Sequence, residues 1–149
     1  MIQRIQTVYL LIVGILLIVC MCLPIGAFVY PDMSIYEVCN LCITNAEGAS
    51  DYSVWALFGI LLISTILSLV TIFLFKKRML QIRLTVFSTI LLIGYYITLV
   101  AFVYMLKYQA SYSPSWGVCI PFICIVLNWL AIRAIGKDEV LVKAYDRLR

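Results

Sequence analysis

Six cysteines and no histidine frame the chemistry open to this chain. Cys39-Asn40-Leu41-Cys42 is a C-x-x-C. Two thiols at that spacing can cycle between dithiol and disulfide by thiolate attack on a partner's disulfide. Cys20 and Cys22 precede the pair, and Cys119 and Cys124 follow it. The lack of His removes the commonest metal ligand and the one side chain that titrates near neutrality unperturbed. No metal site and no other cofactor is therefore expected, and Cys39 and Cys42 stand alone as a candidate redox pair. The competing reading is a local structural disulfide or two free thiols, with the other four cysteines serving as small apolar side chains.

The elements that must position these thiols are legible in the charge pattern. No Asp, Glu, Lys or Arg occurs between Arg4 and Asp32, Asp51 and Lys76, Arg83 and Lys107, or Lys107 and Arg133. Each run exceeds the roughly 20 apolar residues that carry a helix across a hydrocarbon core of about 30 Å. The chain of 149 residues is 65% hydrophobic and 12% charged, with mean hydropathy +1.11, more apolar surface than a soluble domain of this size can hide. The pattern predicts an all-α membrane protein, a four-helix transmembrane bundle in one domain, with spans at about 7–28, 54–75, 84–106 and 116–135 and a tail at 136–149. The net charge of +4 does not point to nucleic acid, because the basic residues fringe the span ends, where they set topology. The lipid bilayer is the first expected partner.

Placing both termini in the cytoplasm keeps every basic residue except Lys107 inside, as the positive-inside rule requires. The first loop, with Asp32, Glu37, Glu47 and Asp51, then faces outward, and all six cysteines lie toward that oxidising side. Within the loop, Ile35 to Ile43 is β-prone and predicts a short strand or hairpin. The first apolar run is too long for a signal-peptide core and no A-x-A-like site follows it, so an uncleaved helix is expected.

Ser64, Ser68 and Thr71 share a helical face at i, i+4, i+7, which reads as close helix packing rather than a polar groove. Tyr95 and Tyr96 fall near mid-span. A buried hydroxyl there needs a partner, expected from a Ser or Thr on a facing helix. Pro24 and Pro121 are expected to kink the outer halves of their spans. Asn128, the only amide deep in a span, is expected to face neighbouring helices. Trp55, Tyr30, Tyr104, Tyr108, Tyr112 and Trp116 gather at the outer boundary as headgroup anchors.

At the end of the chain, Gly136 is expected to stop the fourth helix and Asp138 to cap a new one. Leu141, Tyr145 and Leu148 then fall at i, i+4, i+7 on a short amphipathic helix at the inner membrane surface, a candidate docking stripe for a protein partner.

Two resemblances bear on function. Four spans, cytoplasmic termini and an external C-x-x-C resemble the layout of the disulfide-bond B family of quinone-linked oxidases. That family has a second cysteine pair in its second external loop. Here residues 107–115 carry no Cys, and no Arg lies near Cys39 and Cys42. The opening Met1-Ile2-Gln3-Arg4-Ile5-Gln6-Thr7-Val8-Tyr9-Leu10 and the closing Ala131-Ile132-Arg133-Ala134-Ile135-Gly136-Lys137-Asp138-Glu139 resemble an uncharacterised four-helix membrane protein family of Bacteroidetes, domain of unknown function 4293. That resemblance implies a multi-pass protein of the bacterial inner membrane with no assigned activity. The combined expectation is a non-enzymatic membrane protein, a scaffold or accessory subunit. A membrane thiol–disulfide oxidoreductase is the alternative. A small transporter or ligand-binding protein is the third class, disfavoured because no ionisable residue sits at mid-membrane.

Overall fold

A computed structural model describes residues 3–44, 48–74, 77–106 and 110–147. Four helices account for most of it: α1 (Gln3–Cys22), α2 (Trp55–Phe73), α3 (Arg78–Leu106) and α4 (Cys119–Arg147). All four are long and apolar enough to cross a membrane. The first packs against α2 and α4, and α3 also packs against α2 and α4, so the contacts close into a ring. Inward positions recur every three or four residues: Leu10, Val13 and Leu17 on α1, Leu57, Leu61 and Ser64 on α2, Ser88, Leu92 and Tyr95 on α3, and Cys124, Asn128 and Ala131 on α4. The outward faces remain apolar and exposed, as at Ile15, Ile66, Ile97 and Val126.

A five-stranded antiparallel sheet covers one end of the helices. Its strands are β1 (Gly26–Val29), β2 (Ile35–Val38), β3 (Ile43–Thr44), β4 (Ser50–Asp51) and β5 (Ser111–Pro114), in the order β4-β3-β2-β1-β5. The sheet is larger than the expected hairpin. Its interior strand β1 comes largely from residues assigned by hydropathy to the first span. Pro24 ends helical hydrogen bonding beyond Cys22, and β1 then satisfies its backbone on both sides, pairing Gly26 with Val38 and with Pro114. The alternation of β1 turns Gly26 and Phe28 toward the helices and leaves Val29 exposed. Phe28 meets Tyr112 across the strands, ring centres 5.3 Å apart. Pro114 lies on an edge strand, where its missing N–H costs no ladder bond.

The boundaries of α3 and α4 also depart from expectation. The third helix begins at Arg78, ahead of residue 84, after a connection in which the Lys77 N–H donates to the Leu74 carbonyl over 3.0 Å. The fourth starts with a single 3-10 turn, Trp116–Val118, and runs without a break through Gly136 to Arg147. Neighbouring helices hold that stretch: Gln6 Nε2 donates to the Ala134 carbonyl over 3.1 Å, and Arg78 Nη1 to the Asp138 carbonyl over 3.2 Å. These contacts outweigh the weak stop signal of one glycine. Neither proline kinks a helix. Pro24 lies in the α1–β1 connection, and Pro121 lies in the first turn of α4, where its N–H would have no intrahelical partner.

Candidate functional site

The C-x-x-C forms the loop between β2 and β3. Val38 pairs with Ile43, and the Cys39 N–H donates to the Cys42 carbonyl over 2.9 Å, so residues 39–42 turn back tightly. Both thiols are half-buried, and all six cysteines are free. Burial, then the neighbouring Cys42 and Glu37, push the Cys39 thiol above its ordinary value. A raised thiol is the reverse of what nucleophilic exchange requires, since the thiolate attacks.

Asn40, inside the same motif, carries the loop's main contact with the helices. It is 0% exposed. Its Nδ2 donates over 2.7 Å to the Cys20 carbonyl near the C-terminus of α1, which also accepts the Leu23 N–H over 3.3 Å. Its Oδ1 accepts the Tyr95 hydroxyl of α3 over 2.8 Å. The tyrosine partner thus comes from the loop and not from a Ser or Thr on a facing helix. Tyr96 donates to the Val118 carbonyl over 2.6 Å, so adjacent tyrosines fasten the hairpin and the start of α4 to one helix. Sequence reasoning passed over Asn40 because it treated the motif as two cysteines and a spacer. The available signal was an amide between two β-prone segments, opposite a mid-span tyrosine that needed an acceptor.

Close backbone approach completes this end. The Cys20 thiol lies 3.7 Å from the Gly117 carbonyl, and a Cβ on Gly117 would fall 2.5 Å from the Pro24 carbonyl oxygen. Only glycine admits that contact. The other cysteines form no joint cluster with the motif. Cys22 and Cys119 are exposed, and the buried Cys124 thiol reaches the Val13 carbonyl at 4.0 Å. Among the described residues, no group of three or more His, Cys, Asp or Glu is placed to hold a metal ion.

The hydroxyls within the spans pair locally. Ser64 and Ser88 hydrogen bond at 2.9 Å, Ser68 Oγ donates to the Leu10 carbonyl over 2.9 Å, and Thr71 donates to the Leu67 carbonyl over 2.6 Å. Asn128 is buried, and its Nδ2 has no hydrogen-bond partner. Trp55, Tyr104 and Trp116 project outward, Trp116 with 88% of its surface exposed, whereas Tyr30 and Tyr112 pack on the core. Tyr108 lies outside the described residues.

Of the candidate docking residues, Leu141 is exposed beside a shallow apolar depression that it lines with Gly136, Lys137 and Val140. Leu148 and the side chain of Tyr145 lie outside the described residues, so the stripe is represented by Leu141 alone.

Comparison with known proteins adds a family. No match was found among curated proteins. The model of a family described as a domain of unknown function, DUF4293, matches residues 2–148. That match spans all four helices and the sheet, and the chain therefore belongs to the DUF4293 family.

Proposed function

We propose that this protein is a non-enzymatic, multi-pass protein of the bacterial inner membrane, with both termini in the cytoplasm, and that it serves as a scaffold or accessory subunit. The observation that carries the reading is the commitment of Asn40. Both polar groups of its side chain are engaged with helices, which ties the C-x-x-C loop down. A thiol-exchange arm has to bring its sulfur to a partner's disulfide, and Cys39 is both half-buried and raised in pKa. The hydroxyls of the spans are used between and within helices, which supports packing over a transport path.

The partner surface in this reading is the C-terminal end of α4, where Val140, Leu141 and Val142 are exposed among charged residues. Replacing Leu141, Tyr145 and Leu148 together with Ser keeps every charge and all four apolar helices. The variant should accumulate in the membrane at the native level and lose a partner that co-purifies with the native chain in mild detergent. Retention of every partner by the triple variant removes the tail from the scaffold reading. A mixed disulfide trapped by Cys42→Ser in native membranes would overturn the non-enzymatic reading.

A further inference from the structure

A polar layer crosses the interior below the sheet end, and four cross-helix contacts fix its level. The Cys124 thiol meets the Val13 carbonyl, and Gln6 meets the Ala134 carbonyl, so Asn128 of α4 stands level with Leu10 of α1. The Leu10 carbonyl accepts Ser68 Oγ of α2, and Ser64 of α2 bonds Ser88 of α3. Antiparallel helices rising 1.5 Å per residue then place Thr85 at the level of Asn128, with the Ser64–Ser88 pair about one helical turn nearer the sheet. All of these side chains are buried, Asn128 to 1% exposure.

A donor–acceptor inventory of the layer does not close among its own side chains. Asn128 Nδ2 has no partner. In the Ser64–Ser88 pair one hydroxyl donates to the other, which leaves the second proton seeking an acceptor. Thr85 Oγ1 donates to the Gln81 carbonyl and Ser68 Oγ to the Leu10 carbonyl, so both oxygens keep free lone pairs. The layer thus offers spare donors and spare acceptors within about one helical turn along the helix axes. An apolar solute would satisfy neither, and a metal cation would meet an amide N–H with no carboxylate at that level. Water accepts and donates at once, and buried waters typically answer two to four such groups.

We propose that Asn128, Thr85 and the Ser64–Ser88 pair bind water inside the helices, and that this water enters from the end bearing the chain termini. Toward the sheet, Leu17, Leu61, Leu92 and Tyr95 are fully buried and close the interior with apolar surface, with Asn40 above them. Toward the termini Ala131 and Ile135 of α4 are buried too, but beside them lie the buried polar side chains Gln6, Thr71, Gln81 and Asp138, which can pass water along.

Silver ion in chloride-free buffer tests the proposal, because it reaches a buried thiol only where water does. In full-length protein with the six native cysteines changed to Ala, Thr85→Cys should be blocked by silver, read as loss of maleimide capture after unfolding. Leu92→Cys should resist. In sealed vesicles the blocking should occur from the side bearing the termini. Adding Asn128→Leu should slow the blocking of Thr85→Cys by about tenfold once the amide that holds water is gone, whereas Asn128→Gln should largely preserve it. Equal rates at the two positions, blocking from the sheet side, or indifference to Asn128→Leu would overturn the proposal. A second measurement uses the native cysteines: Asn128→Leu should lower the thermal midpoint. A raised midpoint would show that the amide was an unhydrated orphan and would likewise overturn it.

Discussion

Asn40 and Tyr95, 55 positions apart, hold each other by a 2.8 Å hydrogen bond from the tyrosine hydroxyl to the amide oxygen, with neither side chain reached by solvent. The same amide donates to the Cys20 carbonyl of α1. One loop residue therefore joins the sheet, α1 and α3, in surroundings where a lost partner cannot be replaced by bulk water.

Asn40→Ala should cost about 2–4 kcal/mol of stability, because it strands the Tyr95 hydroxyl and leaves the Cys20 carbonyl only its longer bond from the Leu23 N–H, and Tyr95→Phe should cost about 1–3 kcal/mol. The double variant should be less harmful than the sum of the two, since each change removes the same bond. Thermal unfolding in detergent, read for all four proteins of the cycle, measures the coupling. Strict additivity would mean that the bond contributes nothing.

The Cys39 thiol is raised, so the folded protein holds this proton more tightly than the unfolded chain does. Its contribution to stability is therefore complete below the ordinary thiol value of 9.0 and is lost as pH rises through the higher folded value. With the other cysteines replaced, the rate of Cys39 alkylation should keep climbing past pH 9.0 and reach its midpoint above that of the same residue in the unfolded protein. A midpoint below 9.0 would instead describe an activated thiol and revive the exchange chemistry.

Two glycines should respond to alanine with opposite signs. Gly117→Ala places a methyl 2.5 Å from the Pro24 carbonyl oxygen, a backbone atom, and should destabilise by about 1–3 kcal/mol. Gly136 has nothing within 4 Å of an added Cβ and lies inside α4, so Gly136→Ala should stabilise by roughly 0.5–1 kcal/mol. Thermal midpoints decide both. A drop at Gly136→Ala would indicate that the helix needs a break there.

If both termini lie inside, as proposed, single cysteines placed at Ser50 and at Lys143 in a cysteine-free chain should differ toward an impermeant maleimide on intact spheroplasts. Ser50→Cys, on the exposed strand β4, should label, and Lys143→Cys only after the membrane is opened. The reverse pattern would put the C-x-x-C in a reducing compartment.

The four helices were legible in the sequence because the distance from one charged residue to the next is a local property, and a charge-free run such as that between Asp51 and Lys76 admits few other structures. The helical spacing of Ser64, Ser68 and Thr71 likewise told which face turns inward. Apolarity alone could not divide Thr7 to Phe28 between a helix and a strand. Gly26–Val29 became β1 because residues far along the chain, Ile35–Val38 and Ser111–Pro114, supply its hydrogen bonds. The continuation of α4 past Gly136 rested on Gln6 and Arg78 for the same reason. Asn40 shows the limit most clearly. Its sequence neighbours are cysteines, which drew attention to sulfur chemistry, but its role is set by Cys20 and Tyr95, and only folding brings those three together. Periodicity records which side of an element faces inward, whereas the partner that a buried polar group finds there depends on the register between elements, which no single segment encodes.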